Sequence, residues 1–517
     1  MQSYKIGTRG SLLAVTQSTL MKNLLEQISG DKFELVLIKT QGDEITNKPL
    51  WQLEGKDFFT KELDEALLRG QVDLVIHSYK DLGSVRPEGI KLAAVTERKF
   101  AHDILLIPQA HVNSLPEWNG EFVVGTSSPR RIANLQKSLH KYLPHSQDKN
   151  FSIRCETLRG NVNSRIRKLK DGQYHAIVLA LAGLERLTQT EKSAHELQEL
   201  LTGLNFLVLP QSIFPSAASQ GALGIEMRED RDDGGKLYKI INQLAHEKTV
   251  EEVLRERKAF KEFGGGCHLA VGIHVKKIGE QFLHVHSGEV DGKRIEAKWL
   301  EGVELPKLAS GKKLLVGLPK GPKTETRPNV LHDEFLKKEA QVIEVDLSQK
   351  HIFVTSRYCL PTLKPHKNVG TIWAAGSKTA EQLTEAGFWV NGTCDSLGTE
   401  ELKSFKNSAT LQLMNASIKN EWITLTHADS TSDIGKVIGT YQRIEQSVSP
   451  SFAEDLKSVG ACFWTSFPQY QAYLAKFPHL AEAHHYCGLG KTWQEFKNKN
   501  IKITALASMQ EFYGLLG

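Results

Sequence analysis

No run of about 18 apolar residues occurs in the 517-residue chain, so no segment reads as a membrane-spanning helix. The opening residues, Met1 to Gly7, show no apolar signal-peptide core and pass directly into a strand pattern. Cysteine is sparse. Cys155, Cys267, Cys359, Cys394, Cys462 and Cys487 show no CxxC or CxxH spacing. That argues against a disulfide framework or a zinc site and for a reducing compartment, the cytoplasm being the expected one. Gly488-Leu489-Gly490-Lys491-Thr492 lacks the GxxxxGK spacing of a phosphate-binding loop, so nucleotide binding is not expected. What remains is an average soluble composition, 40% apolar and 24% charged, at a length that calls for several domains.

Charge is present but unevenly spread. The net value is only +5, yet residues 127–170 hold eleven lysines and arginines against two acids, Asp148 and Glu156. Such a field attracts an anionic partner. Nucleic acid fits the charge, but the segment has neither interleaved aromatics nor a helix-turn-helix or RNP-like pattern, so a small polyanion fits equally well.

Four segments put polar residues at the carboxyl end of an expected strand, where ligands sit in open α/β sheets. Ile6-Gly7 runs into Thr8-Arg9-Gly10-Ser11, with Ser11 a helix N-cap, Arg9 beside it, and a stripe of Leu13, Leu20, Leu24 and Ile28 on the helix that follows. The apolar run 72–76 ends in His77-Ser78-Tyr79-Lys80-Asp81, where His77 reads as either a structural or a site residue. Phe122 to Gly125 leads to Thr126-Ser127-Ser128-Pro129-Arg130-Arg131, hydroxyls and arginines at a helix start that form an anion cradle. Ala176 to Ala180 leads to Ala182-Gly183-Leu184-Glu185-Arg186. With Arg159 and Arg165 from the intervening Leu158-Arg159-Gly160-Asn161-Val162 segment, these arginines describe a cleft for several anions, because a planar fork suits carboxylate or phosphate. The polar stretch from Gln41, which holds Lys56 and Lys61 near its end, is long enough to be a lid or binding loop.

A helix pattern from Thr249 to Phe263 stops on Gly264-Gly265-Gly266 and delivers Cys267 into a turn. Glycines there read either as a helix C-cap or as room for a bulky group to approach a nucleophilic thiolate. An alternating run, Phe282 to His286, follows and predicts a small antiparallel sheet.

Beyond about residue 311 the pattern repeats itself. Ile352-Phe353-Val354-Thr355-Ser356 is echoed by Cys462-Phe463-Trp464-Thr465-Ser466, and Trp373 to Thr379 by Tyr486 to Thr492, each a strand running into a glycine turn that ends on Lys-Thr. Two related α/β subdomains are expected.

The first 305 or so residues resemble hydroxymethylbilane synthase (porphobilinogen deaminase). The resemblance is carried by IGTRGS at 6–11, HSYKD at 77–81, GTSSPRR at 125–131, LRGNV at 158–162, AGLER at 182–186, QGALGIE at 220–226 and GGCHLAVG at 265–272. It implies a dipyrromethane cofactor held by Cys267 through a thioether, with Asp81 the catalytic carboxylate. It further implies cofactor contacts from Lys80, Ser11, Thr126, Ser127, Ser128, Arg130, Arg131 and Arg159, and substrate contacts from Arg9, Arg165, Arg186, Lys56 and Lys61. Departures from the family pattern are Asp57 in the lid motif, Leu82-Gly83 after HSYKD, His102 in place of an arginine, the Pro215–Gln220 segment, and Ala270 after the cysteine turn. Residues from about 311 onward resemble uroporphyrinogen-III synthase through the duplicated turns and Thr440-Tyr441, although Gly317-Leu318-Pro319-Lys320 stands where that family opens on Thr-Arg-Pro. There the resemblance implies site roles for Ser356, Thr379, Tyr441, Ser466 and Thr492.

The expected fold class is α/β. It comprises a bilobal pair of periplasmic-binding-protein-like domains (1–97 with 206–227, and 98–205), a small α+β cofactor-bearing domain (228–305) and a linker (306–312). A two-lobed synthase-like module follows (313–347 with 446–517, and 348–445). The expected function is assembly of four porphobilinogens into hydroxymethylbilane in the first half and its closure to uroporphyrinogen III in the second. The alternative is a deaminase whose second half is structural, since fold alone confers no activity. Expected partners are porphobilinogen and polypyrrole intermediates, with no metal, nucleic acid or membrane, on a monomer. A non-catalytic polyanion-binding protein would not need Cys267, and a nucleic-acid binder would tolerate Asp81→Ala; neither accounts for both features.

Overall fold

The computed structural model describes residues 1–40, 60–83, 85–146, 149–266, 268–321 and 325–516, so Lys56, Asp57 and Cys267 lie outside the described residues. The chain divides into two compact units. One comprises Met1–Lys277, Val285–Ala297 and Lys406–Ala416; the other comprises Ile278–His284, Lys298–Phe405 and Ser417–Gly517. Lys406–Ala416, expected inside the second synthase-like lobe, therefore belongs to the first unit. The reason is local: Glu185 accepts from the Ser408 hydroxyl at 2.7 Å and from the amides of Ala409 and Thr410 at 3.0 and 3.2 Å, capping the Ala409–Met414 helix.

The first unit begins with β1 (Ser3–Thr8), β2 (Lys32–Leu37), β3 (Leu74–Ser78) and β4 (Ile90–Val95). It crosses to β5 (Asp103–Pro108), β6 (Gly120–Gly125), β7 (Phe151–Glu156), β8 (Ala176–Ala180) and β9 (Leu204–Val208), and returns as β10 (Leu223–Arg228). The sheets are ordered β2-β1-β3-β10-β4 and β7-β6-β8-β5-β9. Both follow one plan: parallel strands, then an antiparallel strand supplied by the crossing segment, then an edge. The return crossing lies beyond Val208 rather than at 206, because Phe206, Leu207 and Val208 are 1–2% exposed and complete the second sheet beside β5.

The core of the first sheet gathers Tyr4, Ile6, Leu74, Ile76, Ile225 and Met227 against Met21 and Leu25 of the Leu12–Ser29 helix. Each such side chain contributes roughly 1.5–3 kcal/mol on full burial. The expected stripe on that helix only partly faces the core: Leu20 packs against it, but Leu24 and Ile28 are 41% and 37% exposed, and the buried residues are Thr16, Gln17, Ser18, Met21 and Leu25. The helix is apolar on more than one side, and the side that turns inward carries Gln17, whose amide donates to the Ser78 hydroxyl at 3.2 Å.

The Glu247–Glu262 helix ends as the capping reading anticipates. Gly265 N–H donates to the Phe260 carbonyl at 2.9 Å and Gly264 N–H to Lys261 at 3.0 Å, a paired closure of the last helical turn. Gly264, Gly265 and Gly266 all have positive φ (96°, 61° and 97°), which side-chain-bearing residues resist, so the triple glycine is a backbone requirement. A three-stranded sheet follows: β11 (Ala270–Ile278), β12 (Gln281–Val290) and β13 (Lys293–Leu300).

The second unit carries β14 (Lys313–Val316), β15 (Val330–His332), β16 (Leu336–Ala340), β17 (His351–Val354), β18 (Thr371–Ala374), β19 (Gly392–Thr393), β20 (Trp422–His427), β21 (Lys436–Glu445), β22 (Val459–Trp464), β23 (His484–Gly488) and β24 (Thr504–Leu506). Its sheets run β15-β14-β22-β23-β24 and β16-β21-β20-β17-β18-β19. β16, expected in the first lobe, pairs antiparallel with β21 and so joins the other sheet. The repeat read from the sequence has a backbone counterpart. Ser356 and Ser466 are N-caps with near-identical dihedrals (φ −159°, ψ 155° and φ −162°, ψ 157°). The two echoed glycines, Gly376 and Gly490, both abut Ser396, where a Cβ on Gly490 would lie 2.6 Å from its carbonyl oxygen.

Candidate active site

The first unit holds a cleft of about 850 Å³ at the carboxyl ends of β1, β3 and β8. Its walls carry Arg9, Lys39, Lys80, Arg131, Arg159, Arg165 and Arg186 and, among the described residues, a single acid, Asp81. Local sequence explains the placement. β3 ends at Ser78, and Tyr79–Asp81 turn at once into a short 3-10 segment, which leaves Asp81 exposed at the cleft. The Leu82-Gly83 departure is held by Arg257, whose guanidinium donates to the Leu82 carbonyl at 2.8 Å and lies 5.1 Å from the Tyr79 ring. On the opposite wall Asn161 caps the Val162–Lys170 helix, accepting from Ser164 N–H at 2.9 Å, and Arg165 Nε donates to the Gly160 carbonyl at 2.7 Å.

Behind the cleft sits Asp103, 1% exposed. It takes both arms of Arg131 (3.1 and 2.7 Å), Arg130 at 2.9 Å and the Gln220 amide at 2.9 Å. Burial alone would raise its pKa, but the two guanidiniums and these hydrogen bonds outweigh burial and hold the carboxyl well below the usual range. Gln220 Oε1 in turn accepts from Lys80 Nζ at 3.1 Å. Burial, with Arg131 and Arg130 nearby, lowers the Lys80 pKa to about 8 against the pull of Asp81 and Asp103. Burial likewise lowers Arg165 and Arg186 to about 10, Arg165 being further lowered by Arg131 and Arg159; both are opposed only by Asp81. Arg186 donates to the Gly221 carbonyl at 2.6 Å. Gly221 has φ 93°, and a Cβ there would lie 2.8 Å from the Lys99 and Phe100 carbonyls.

The cleft thus brings together Asp81, Lys80, Ser11, Arg9, Arg131, Arg159, Arg165 and Arg186 of the residues read from the sequence. Ser11 serves it as the N-cap of the Leu12–Ser29 helix, accepting from Ala14 N–H at 3.3 Å. Others are placed elsewhere. Arg130 does not line the cleft; it is 5% exposed and donates to the Pro215 carbonyl at 2.8 Å, because adjacent helical residues point about 100° apart. Ser127 exchanges hydrogen bonds with the backbone of Leu158 (2.8 and 3.1 Å), and Thr126 accepts from the Ser128 amide at 3.3 Å, so this trio joins two loops outside the lining. Lys61 is exposed at the start of the Lys61–Leu68 helix, also outside the lining. His77 leaves the site: its Nε2 is 3.3 Å from Glu226, within a buried group that Arg86 closes by bonding Glu226 at 2.7 Å and Asp64 at 2.6 Å. Arg86 already supplies the positive charge that this His-carboxylate cluster would otherwise ask of a metal.

Sequence reasoning missed Lys39, Gln220 and Asp103. Lys39 follows the end of β2 and answers to the strand-end rule used for Lys80 and Asp81. Asp103 and Gln220 carry no local signal, since their partners stand 28 and 117 residues apart in the chain.

In the second unit Ser356 caps the turn that follows β17; burial raises the pKa of Tyr441, and the neighbouring Thr355 and Ser356 hydroxyls act against that rise. Thr379 sits on the Ser377–Glu385 helix, which packs beside that turn. Ser466 caps the Phe467–Lys476 helix, and the Thr492 hydroxyl donates to the Thr465 carbonyl at 3.0 Å, so these two meet at the ends of β22 and β23.

Two sheets of one plan, meeting at a cleft whose described lining is cationic around the exposed carboxylate of Asp81, define a bilobal α/β protein with a site suited to an acidic ligand. The family model described as "Porphobilinogen deaminase, dipyromethane cofactor binding domain" matches residues 4–235. Porphobilinogen deaminase from Sulfurimonas denitrificans is 36% identical over 289 residues, 56% of this chain and 83% of that protein. The one from Lachnospira eligens is 37% identical over 297 residues, 56% of this chain and 91% of that protein. The chain belongs to the porphobilinogen deaminase family. Among solved structures, uroporphyrinogen-III synthetase from Helicobacter pylori is 17% identical with a TM-score of 0.28, over 40% of this chain and 97% of that one.

The family's cofactor is dipyrromethane. The donor set fits it: an acidic pyrrole pair needs several fixed cations, and Lys80, Arg131, Arg159 and Arg165 line one cleft with, among the described residues, no acid but Asp81.

Proposed function

We propose that the first unit joins four porphobilinogens into hydroxymethylbilane and that the second closes this linear product to uroporphyrinogen III. The observation that carries the first half is that, among the described residues, Asp81 is the one carboxylate among seven cationic side chains of one cleft. When bound through Cys267, the dipyrromethane group supplies the pyrrole carbon to which the first substrate is joined. The protein does the rest. Arg9, Arg165 and Arg186 hold the acetate and propionate groups of porphobilinogen, orienting its aminomethyl arm, and Lys80, Arg131 and Arg159 hold those of the cofactor. Asp81 stabilises the positive charge that develops on the substrate pyrrole as ammonia departs, and holds the proton released when the ring regains aromaticity.

For the second half, the support is the doubled strand–cap geometry at Ser356 and Ser466, together with the Tyr441 hydroxyl beside Ser356. A second site on the same chain raises the effective concentration of the cyclising step and so shortens the lifetime of a linear product that otherwise cyclises spontaneously to the wrong isomer. The enzyme acts as a cytoplasmic monomer in this reading. Intact mass tests the first half: the purified protein carries an added mass of two porphobilinogens less the lost ammonias, and Cys267→Ser does not. A Cys267 thiol that alkylates in fully active enzyme would overturn it. Isomer analysis after incubation with porphobilinogen tests the second half; isomer III is expected, and isomer I alone would refute it.

A further inference from the structure

The second unit carries a basic face whose cations form no ion pair with a carboxylate among the described residues. β16 and β21 pair so that Lys338 stands directly opposite Arg443 and Ala340 opposite Tyr441. Residues in direct register share one face of an antiparallel pair, and like charges so placed repel. Arg357, in the turn after β17, lies 5.2 Å from the Tyr358 ring, and Lys338 Nζ approaches the same ring at 5.7 Å. Tyr358 is 5.7 Å from Tyr441, whose other neighbour is His427 at 5.4 Å.

The polar inventory of this face is incomplete. Arg443 Nε is buried with no hydrogen-bond partner among the described residues. His427 is 7% exposed, and its Nδ1 accepts the Asp429 amide at 3.1 Å, which leaves buried Nε2 without an acceptor. The acids in electrostatic range of Arg443 are Asp333, Glu495 and Asp429. Asp333 is already saturated by Gln469 and Tyr473, each at 2.6 Å, and by the amides of Phe335 and Leu336. No carboxylate stands within ion-pair distance of Lys338, Arg357 or Arg443 among the described residues. Burial, then Arg443 and Arg357, lower the Lys338 pKa to about 8. Buried polar groups of this kind are costly unless something completes them, and three cations beside two tyrosyl rings match a carboxylate on an aromatic carrier.

We propose that Lys338, Arg357 and Arg443 form a carboxylate-binding site that anchors the acidic side chains of the linear tetrapyrrole in the second unit. The identity of that ligand rests on the cyclising role proposed above; the site as a carboxylate receptor rests on the geometry alone. Benzenehexacarboxylate serves as an unreactive probe on the full-length protein. It is expected to inhibit cyclisation competitively, and the Lys338→Gln/Arg443→Gln protein should show at least a tenfold higher inhibition constant. That variant should also have a tenfold higher KM for hydroxymethylbilane, with kcat changed less than threefold. Arg357→Gln, at an exposed rim position, should give a smaller change in the same direction without risk to folding. Unchanged KM and inhibition constants would overturn the proposal. Should wild-type protein release only isomer I, the cyclising role fails, and calorimetry then decides the site by itself. One more equivalent of probe bound by wild type than by the double variant upholds the carboxylate receptor, and equal stoichiometry rejects it.

Discussion

The two basic regions of this protein differ in what stands behind their charges. In the first unit Arg130 and Arg131 converge on buried Asp103, and Lys80 reaches the same carboxylate through Gln220. Arg131 and Lys80 are held from behind, so they present fixed charges to the cleft, while Arg130 braces the same carboxylate from outside it. In the second unit Lys338 and Arg443 face each other across a strand pair, with a tyrosyl ring near Lys338 and no carboxylate at ion-pair distance among the described residues. One site is preorganised by its own counter-ion; the other leaves that role to a ligand. The contrast shows that a count of basic residues says little about a site until the partner of each charge is known.

The sharpest way to break the comparison is to remove the acid that the first cleft leaves exposed. Asp81→Asn should lower kcat for ammonia release by roughly 10³-fold, with KM moved less than about threefold. Steady-state kinetics with porphobilinogen checks it, and near-normal turnover would remove Asp81 from the chemistry. Asp103→Asn should cost about 3–5 kcal/mol of unfolding free energy in urea titrations, because it strands two buried guanidiniums; a wild-type midpoint would show the pairing to be dispensable.

Glu256 gives a pH test. It is 0% exposed and bonds Arg98 and the amides of Ser219 (2.6 Å) and Val275 (2.9 Å). Burial opposes its charge, but Arg98 and His274 outweigh burial and lower the pKa from 4.5 to about 2. A depressed carboxyl pKa stabilises the fold above the unfolded value, so this contribution is complete above about pH 4.5 and fades as pH falls toward 2. Glu256→Gln should flatten that acid limb in denaturation midpoints measured across pH.

A smaller effect separates Lys80 from the arginines around it. Lys80 is a cation below its pKa of about 8 and neutral above it. The affinity of the cleft for a carboxylate ligand should therefore weaken severalfold as pH rises through about 8, and Lys80→Arg, which keeps its charge, should abolish the drop. Binding measured from pH 7 to 9 decides. Least of all, Lys338→Met should raise stability by about 0.2–1 kcal/mol by relieving a like-charge pair. A matching loss would mean that the second unit neutralises this lysine as the first neutralises Arg131.

Part of this molecule is written locally in its chain and part is not. The strand ends at Arg9, Asp81 and Arg186, the cap at Ser11, the three positive-φ glycines before Cys267 and the doubled caps at Ser356 and Ser466 follow from neighbouring residues. Such features need only a few contiguous dihedrals and a side chain within reach. Tertiary structure alone decided that Arg131 lines the cleft while Arg130 does not, that Gln17 rather than Leu24 turns inward, that β16 joins the sheet of β21, and that Lys338 meets Arg443. These outcomes depend on pairings between segments distant in sequence, where burial and the search of each charge for a partner choose among faces that local pattern leaves equivalent.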